Sequence, residues 1–149
     1  MNYNRVKSLR NPAVKMSKSD ADRLSTILLT DSADTIRLKI RKAVSDMTPT
    51  ISYDPIGRTG ISNLVDIASA LSGQSVDEVC WSCRQFDTVA FKNFVSDIVI
   101  ERLRPVSNEI TRLLEDTSYL SQVLSEGSRK ATDIAASTYA DVCRLIGFN

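Results

Sequence analysis

Two lysines three residues apart, Lys15 and Lys18, lie among serines near the start of the chain. Phosphoryl and adenylyl transfer need positive charge where negative charge develops on the departing pyrophosphate, supplied by a group that can move. Lysine is a compact charge on a flexible stem, and the hydroxyls of Ser17 and Ser19 add hydrogen-bond donors. Two lysines alone are more often part of a solvated surface, so the phosphate-handling interpretation depends on the whole run. That run is Lys15, Met16, Ser17, Lys18, Ser19 and Asp20.

The composition limits the partners that the chain can have. Its 149 residues, of which 42% are hydrophobic, suffice for one domain of ordinary size with a real core. The net charge is +1, so binding to a polyanion would depend on local patches rather than on a global field. No run approaches the roughly 20 apolar residues that span a bilayer, and the N-terminus lacks a secretory apolar segment. We therefore expect a soluble protein with no membrane partner.

Histidine is absent from the sequence, which excludes Ser-His-Asp hydrolysis, Cys-His proteolysis and histidine-ligated zinc by these residues. The chain has three cysteines, two of them at the CxxC spacing of Cys80 and Cys83. The odd number favours free thiols in a reducing compartment over a disulfide framework. A redox or zinc role is the minority alternative, because a βαβ context and a fourth ligand are lacking. We predict no metal site.

Helical periodicity begins at Ser32 and continues to the end of the chain. Ser32 is a plausible N-cap, Ser62 is a second, and Ser75 with Glu78 three residues later forms a capping box. Gly73 is placed to end the helix that Ser62 would begin. The sequence therefore predicts a mainly α chain, with a helical bundle from Ser32 onward.

Three further features complete this outline. The short apolar segment Leu24–Leu29 is predicted to be a brief strand or extended piece within an otherwise irregular N-terminal region. Asp87 opens a long helix that we expect to end before Pro105. Core-like spacing predicts that three aromatic side chains pack inside rather than stack on bases, namely Phe86, Phe91 and Phe94.

Contacts to RNA are predicted at one aromatic and a few basic residues. Trp81 beside Arg84 is the best candidate for stacking on a base, although partial burial of the ring is the more frequent case. Among the basic residues of the helices, Lys92, Arg104 and Lys130 could line a groove for RNA phosphates. Solvated helix surface is the ordinary alternative for each of them.

The lysine run resembles the KMSKS signature of class I aminoacyl-tRNA synthetases, and further blocks resemble the tryptophanyl family. The resemblance covers roughly residues 8 to 148, and the conjunction of blocks is highly specific. The further blocks are Lys39–Asp46, Tyr53–Leu64, Phe91–Lys92 with Leu103–Pro105, and Leu124–Ala131.

The resemblance implies ATP- and Mg²⁺-dependent formation of tryptophanyl-adenylate and its transfer to tRNA-Trp. Lys15–Ser19 would bind ATP, with Lys18 as the strongest transition-state contact and Lys15 as a second catalytic residue. Residues 1–31 would be the edge of the Rossmann catalytic domain, and residues 32–149 the helical anticodon-binding bundle. Such enzymes are homodimers, and the family's bacterial and mitochondrial members look most similar. The implied location is the mitochondrial matrix, with the cytoplasm as the alternative.

Several family features are not found in the sequence. The histidine-containing HIGH motif and the tryptophan pocket are lacking, as is the proline that usually follows the aspartate at position 20. We therefore expect a C-terminal half that lacks the dimer interface and does not run the ligase reaction alone. The alternative is a non-catalytic tRNA-binding module from a truncated gene or a splice form.

Overall fold

Five α-helices make up the regular structure of residues 5–148, the part of the chain that the computed structural model describes. The one β pairing in this range is an isolated antiparallel bridge between Lys7 and Lys15. The prediction of a mainly α chain is confirmed. Of the two alternatives predicted for Leu24–Leu29, the brief strand is wrong, and the segment is an irregular piece without a strand. The helices are α1 (Ala33–Arg41), α2 (Thr59–Ser72), α3 (Val76–Ser82), α4 (Thr88–Glu115) and α5 (Thr117–Ile146).

Local capping signals set several of the helix ends. The Ser32 hydroxyl accepts a hydrogen bond from the backbone N–H of Thr35 at 3.2 Å and so caps α1. Ser75 and Glu78 form the predicted capping box at the start of α3. Gly73 ends α2 with a φ of +78°, a left-handed conformation that glycine adopts without steric cost. These predictions are confirmed because each signal acts over only a few residues.

Two predicted helix ends are wrong. Helix α2 begins at Thr59, and Ser62 lies inside it, where its hydroxyl accepts a hydrogen bond from the backbone N–H of Asp54 at 2.9 Å. Helix α4 continues through Pro105. Proline removes the N–H that would bond to the carbonyl of Glu101, but its fixed φ suits the first turn of the helical residues after it. One lost hydrogen bond is therefore not enough to end the helix.

A single apolar core lies beneath α1, α2, α3 and the first part of α4. Ile40, Leu64, Val79 and Phe91 contribute one fully buried side chain from each helix in turn. Leu9, which precedes the lysine run, is buried in the same core. The N-terminal segment is therefore held by the helices rather than lying apart from them.

The prediction for the three phenylalanines is confirmed. Phe91 is fully buried, and Phe86 and Phe94 are half-buried against the core. The rings of Phe86 and Phe94 meet edge to face, with their centroids 5.9 Å apart. This geometry is typical of aromatic pairs in protein interiors.

Two compact units divide the chain within α4, the first ending at Ser107 and the second beginning at Asn108. Every buried residue in the described range lies in the first unit, and no residue from 108 to 148 is buried. The domain boundary predicted between residues 31 and 32 stays a prediction. No helix in residues 5–148 combines the length and the apolar character that crossing a bilayer requires.

Candidate functional site

The lysine loop, defined here as Lys15–Asp20, emerges from a short antiparallel turn of the backbone. The N–H of Ser8 donates to the carbonyl of Val14 at 3.0 Å, and the N–H of Met16 donates to the carbonyl of Val6 at 2.9 Å. Ser8 is fully buried. These bonds fix the point at which the lysine loop leaves the core.

The lysine loop presents its charged side chains to solvent. Lys15, Lys18 and Ser19 are exposed, while Met16 and Ser17 are half-buried. Within residues 5–148, neither lysine forms an ion pair. The hydroxyls of Ser17 and Ser19 lie 3.0 Å apart. Both ammonium groups are therefore free to meet an anion.

A cavity of about 550 Å³ lies beside the lysine loop. Its cationic lining residues are Lys18, Arg23 and Lys39, and its acidic ones include Asp20 and Asp31. Lys39 and Asp31 form an ion pair, with 2.6 Å between Nζ and Oδ2 and side chains only 7% and 9% exposed. The lysine loop and helix α1 thus share one polar cavity.

Two cationic side chains bind the backbone at the end of α1, Arg10 from the segment before the lysine loop and Lys92 from α4. A guanidinium nitrogen of Arg10 donates to the carbonyl of Lys42 at 2.5 Å. The ammonium of Lys92 donates to the carbonyls of Ala43 at 2.8 Å and Arg41 at 3.3 Å. Cations are favourable at a helix C-terminus, where the carbonyls lack helical partners. These bonds form a clamp that holds α4 and the segment before the lysine loop against the end of α1.

This clamp corrects the prediction of Lys92 as an RNA contact. Lys92 is only 8% exposed, and its ammonium group donates hydrogen bonds to backbone carbonyls. Burial lowers the pKa of Lys92. Lys92 therefore cannot reach an RNA phosphate in this structure. The signal that could have shown this is its spacing, because Lys92 lies three and seven residues before the buried Val95 and Val99.

Trp81 and Arg84 form an exposed stacked pair on α3 and the residues after it. The indole is 68% exposed, and the guanidinium carbon of Arg84 lies 4.2 Å from the ring centroid. Arg84 also donates to the carbonyl of Trp81 at 2.9 Å. A cation–π contact of this kind orients the ring without covering it completely. The structure therefore brings this predicted pair together in an accessible position.

The other basic candidates are exposed and lie in ion pairs along their own helices. Arg104 pairs with Glu101 at 2.9 Å and Lys130 with Glu126 at 2.8 Å. Exposed pairs contribute little free energy, so either cation could exchange its carboxylate for a phosphate. Arg104 belongs to the first compact unit and Lys130 to the second. Their contact with RNA stays a prediction.

The cysteines are free thiols in this structure. Cys83 is buried, and Cys80 and Cys143 are half-buried. Burial raises the pKa of the Cys80 and Cys83 thiols, which keeps them protonated and unreactive near neutral pH. Among the described residues, no group of three metal-ligating side chains lies close enough to hold an ion.

Sequence reasoning missed the ion pair that organises the loop between α1 and α2. Arg58 donates two hydrogen bonds to the carboxylate of Asp46, at 3.0 and 2.8 Å, and others to Thr50 and Ser52 at 2.7 Å each. The bonds from Arg58 hold the pKa of Asp46 well below its ordinary value of 3.8. The two partners are 12 residues apart in irregular structure, so no periodic pattern relates them. The same is true of Asp31 and Lys39, which lie across a helix start.

Comparison with known proteins identifies the class of protein to which this chain belongs. The model of the family described as tRNA synthetases class I (W and Y) matches residues 2–104. The chain therefore belongs to the class I tRNA synthetases of this type, which are aminoacyl-tRNA ligases.

Within this family, the predicted resemblance to the tryptophanyl enzymes is confirmed. The chain is 38% identical over 146 residues to the mitochondrial tryptophan–tRNA ligase of Saccharomyces cerevisiae, covering 97% of this chain and 38% of that protein. It is 38% identical over 144 residues to the tryptophan–tRNA ligase of Rickettsia prowazekii, covering 97% of this chain and 44% of that one. The chain thus spans less than half the length of these relatives.

Solved structures give the same result for the fold. Tryptophanyl-tRNA synthetase from Campylobacter jejuni, complexed with ADP and tryptophan, superimposes with a TM-score of 0.75 at 25% identity, covering 96% of this chain and 43% of that one. The enzyme from Mycoplasma pneumoniae gives a TM-score of 0.73 at 23% identity, covering 99% of this chain and 45% of that one.

Proposed function

We propose that this chain acts within a tryptophan–tRNA ligase and contributes the lysine loop to the activation of tryptophan by ATP. The observation that carries the proposal is the exposure of Lys15 and Lys18, neither of which forms an ion pair within residues 5–148, together with the polar cavity that Lys18 lines. The relatives are named as tryptophan–tRNA ligases, and the Campylobacter enzyme was crystallised with ADP and tryptophan. These findings support a nucleotide as the anion that the loop meets.

The side chains of the lysine loop divide the work of stabilising negative charge. Lys18 stabilises the charge that develops on the departing pyrophosphate, and Lys15 supports it from three residues away. The loop from Lys15 through Met16, Ser17 and Lys18 to Ser19 binds the ATP phosphates, with the serine hydroxyls as additional donors. Mg²⁺ would arrive with these phosphates and share their charge, and we assign it no ligand among the described residues.

The helices supply the contact with tRNA-Trp in this proposal. The exposed Trp81 ring, held by Arg84, offers a surface on which an unpaired base can stack. Arg104 and Lys130 offer charge to the RNA backbone. An anticodon-binding bundle formed by residues 32–149 fits these roles.

A second function, a non-catalytic tRNA-binding module, is favoured by a different observation. The stacked pair on α3 is complete in itself, whereas a HIGH motif cannot be formed by this sequence, which has no histidine. In this alternative the chain binds tRNA without forming adenylate. As a ligase, the chain acts together with a catalytic half that carries the HIGH motif, the tryptophan pocket and the homodimer interface.

Binding to tRNA and ATP–pyrophosphate exchange, measured on the same purified chain, separate the two functions. We expect selective binding to tRNA-Trp over a non-cognate tRNA, weaker at the higher of two salt concentrations, and no exchange by the chain alone. Addition of a catalytic half restores exchange in the ligase and not in the module. Pyrophosphate exchange by the chain alone would contradict the need for a separate catalytic half. Equal binding of both tRNAs would contradict tRNA-Trp as the partner.

Variants of Trp81 test the stacking contact itself. Trp81→Ala is expected to weaken tRNA binding about tenfold, because stacking of a base on an aromatic ring contributes about 1–3 kcal/mol. Trp81→Phe keeps an aromatic surface and should retain most of the affinity. Equal losses in the two variants would mean that stacking is not the contact.

The mitochondrial matrix is the proposed location. It is supported by similarity to mitochondrial relatives from Saccharomyces cerevisiae at 38% and Dictyostelium discoideum at 36% identity. Bacterial relatives are as similar, so the cytoplasm is the alternative. Fluorescence microscopy of the tagged protein in its own cells distinguishes the two.

A further inference from the structure

We propose that the buried ion pair of Asp31 and Lys39 positions the lysine loop, and that Thr26 transmits its effect. The inference rests on the proposed function in one respect, namely that Lys18 acts on the phosphates of ATP. Neither Asp31 nor Lys39 is a catalytic residue in this proposal. Both act through the backbone of the lysine loop.

The Asp31–Lys39 ion pair is buried. The atoms Nζ of Lys39 and Oδ2 of Asp31 lie 2.6 Å apart, and both side chains are more than nine-tenths buried. Removing two charges from water costs about as much as their attraction returns, so such a pair contributes little net stability compared with apolar residues. A pair kept at this cost in the wall of a polar cavity suggests a role in fixing geometry.

Asp31 links this ion pair to the turn that comes after the lysine loop. The same Oδ2 of Asp31 accepts a hydrogen bond from the N–H of Leu28 at 2.8 Å. The N–H of Asp31 in turn donates to the carbonyl of Leu28 at 3.1 Å. Asp31 therefore closes this turn, and Lys39 holds Asp31 to α1.

Thr26 joins this turn to the lysine loop. Thr26 lies two residues before Leu28, and its hydroxyl donates to the carbonyl of Ser17 at 2.7 Å. Ser17 lies between Lys15 and Lys18. Thr26 thus holds the backbone between the two lysines by a hydrogen bond, and both ammonium groups stay exposed. Such an arrangement fixes the lysines relative to α1 without binding the atoms that would meet phosphate.

Hydrogen exchange in the chain without ligands tests the mechanical link. The double variant Asp31→Asn/Lys39→Met removes both charges together, so that no uncompensated charge is left buried. We expect the amides of Met16 and Asp20, which are bonded within this region, to exchange about tenfold faster as the local structure opens more often. Thr26→Val should have the same effect while leaving the ion pair intact.

Arg37→Met is the matched control, because Arg37 lies on the same helix and pairs with Asp97 at 2.7 Å in an exposed position. It should leave exchange in the lysine loop unchanged. The proposal would be overturned if amide hydrogen exchange in the lysine loop were unchanged in both the double variant and Thr26→Val. It would also be overturned if hydrogen exchange there rose equally in the Arg37→Met control.

Kinetics of the complete ligase test the consequence for activity. The double variant is expected to lower kcat for ATP–pyrophosphate exchange about tenfold with little change in KM for tryptophan, because a misplaced loop weakens contacts made in the transition state. Lys39→Arg with Asp31 retained should recover part of the loss. If Lys18→Ala abolishes ATP–pyrophosphate exchange but the double variant does not lower its kcat, the positioning role is wrong while the proposed function stands. If Lys18→Ala leaves exchange intact, the proposed function itself fails, whatever the double variant does.

Discussion

Lys18 is the residue at which the proposed chemistry is most directly tested. In the complete ligase, Lys18→Ala should lower the rate of ATP–pyrophosphate exchange by about 10²–10³-fold, the range observed for loss of one preorganised charge-stabilising group. Affinity for tRNA-Trp should stay nearly unchanged, because the contact is made mainly in the transition state. Steady-state exchange and filter binding measure the two effects.

Lys42→Ala provides the matching control, since it removes one exposed lysine near α1. Its exchange rate should equal that of the unmodified enzyme. Full exchange activity in Lys18→Ala, or an equal loss in both variants, would exclude a specific role for Lys18.

The carboxylate of Asp46 gives a stability prediction that depends on pH. Asp46→Asn should destabilise the chain by about 1 kcal/mol at pH 7, a value reduced from that of a fully buried charged hydrogen bond because the site is partly exposed. Hydrogen bonds from Arg58 depress the pKa of Asp46 in the folded state. Its stabilising effect is therefore complete above the unfolded pKa of about 3.8 and is lost as the pH falls towards the lower folded value.

Urea unfolding at pH 7 and again at pH 3 measures this dependence. The difference in unfolding free energy between the unmodified chain and Asp46→Asn should shrink at the lower pH. A difference that stays constant with pH would mean that the charge of Asp46 is not what Arg58 stabilises.

At the scale of elements, the approach of α2 to the residues after α1 depends on a missing side chain. A Cβ atom built on Gly60 would lie within 3 Å of the backbone carbonyl of Val44, closer than real contacts permit. Gly60→Ala should therefore cost about 2 kcal/mol of unfolding free energy as the backbone shifts. Gly127, inside α5, has nothing within 4 Å of the same position. Gly127→Ala should instead be neutral or gain up to about 1 kcal/mol of helix propensity.

Thermal and urea unfolding of the two alanine variants check this contrast. Equal stability of the two would show that α2 can move away from Val44 at no cost.

The elements that sequence can predict are those whose signals are local. Ser32 and the box formed by Ser75 with Glu78 act within one turn, so their patterns are sufficient. Pro105 gives the wrong helix end because its effect depends on the residues after it, and these are helical and restart the hydrogen-bond pattern. Leu24–Leu29 has strand-like composition but forms no strand within residues 5–148. The N–H of Leu9 donates to the carbonyl of Ser25, and this single backbone bond does not extend into a ladder.

The parts of the site that sequence cannot predict depend on contacts between distant residues. The lysine loop is predicted from the whole run Lys15–Asp20, because its proposed role needs exposed charge and no partner within the chain. Lys92 looks like any other surface cation, yet it is bonded to carbonyls about 50 residues earlier in the chain. Asp31 and Lys39 are similarly ordinary in sequence, and only the fold shows that they are buried together.

At the scale of the whole molecule, the two compact units differ in what holds them. The first contains every buried apolar side chain of the described range, and the second contains none. Hydrogen exchange in α5 should therefore proceed by local opening, at least about 100-fold faster than in α2, whose amides require unfolding of the core. Mass spectrometry of peptides from both helices, with increasing urea, measures the two free energies.

Comparison with the first unit alone supplies the control for this prediction. A chain ending at Ser107 should keep the slow exchange of α2. If α2 and α5 exchange with one common free energy in the full chain, the two units unfold together and the prediction is wrong.

Trp81 is the single tryptophan of the chain, and its ring stands in water next to a guanidinium group. The molecule therefore carries one built-in indole fluorophore, placed at the surface proposed to meet RNA. The four tyrosines also emit in the ultraviolet, but excitation on the long-wavelength side of their absorption selects the emission of Trp81, which reports on α3. A titration with tRNA can thus be followed by light from the contact itself, without attaching a dye to either partner.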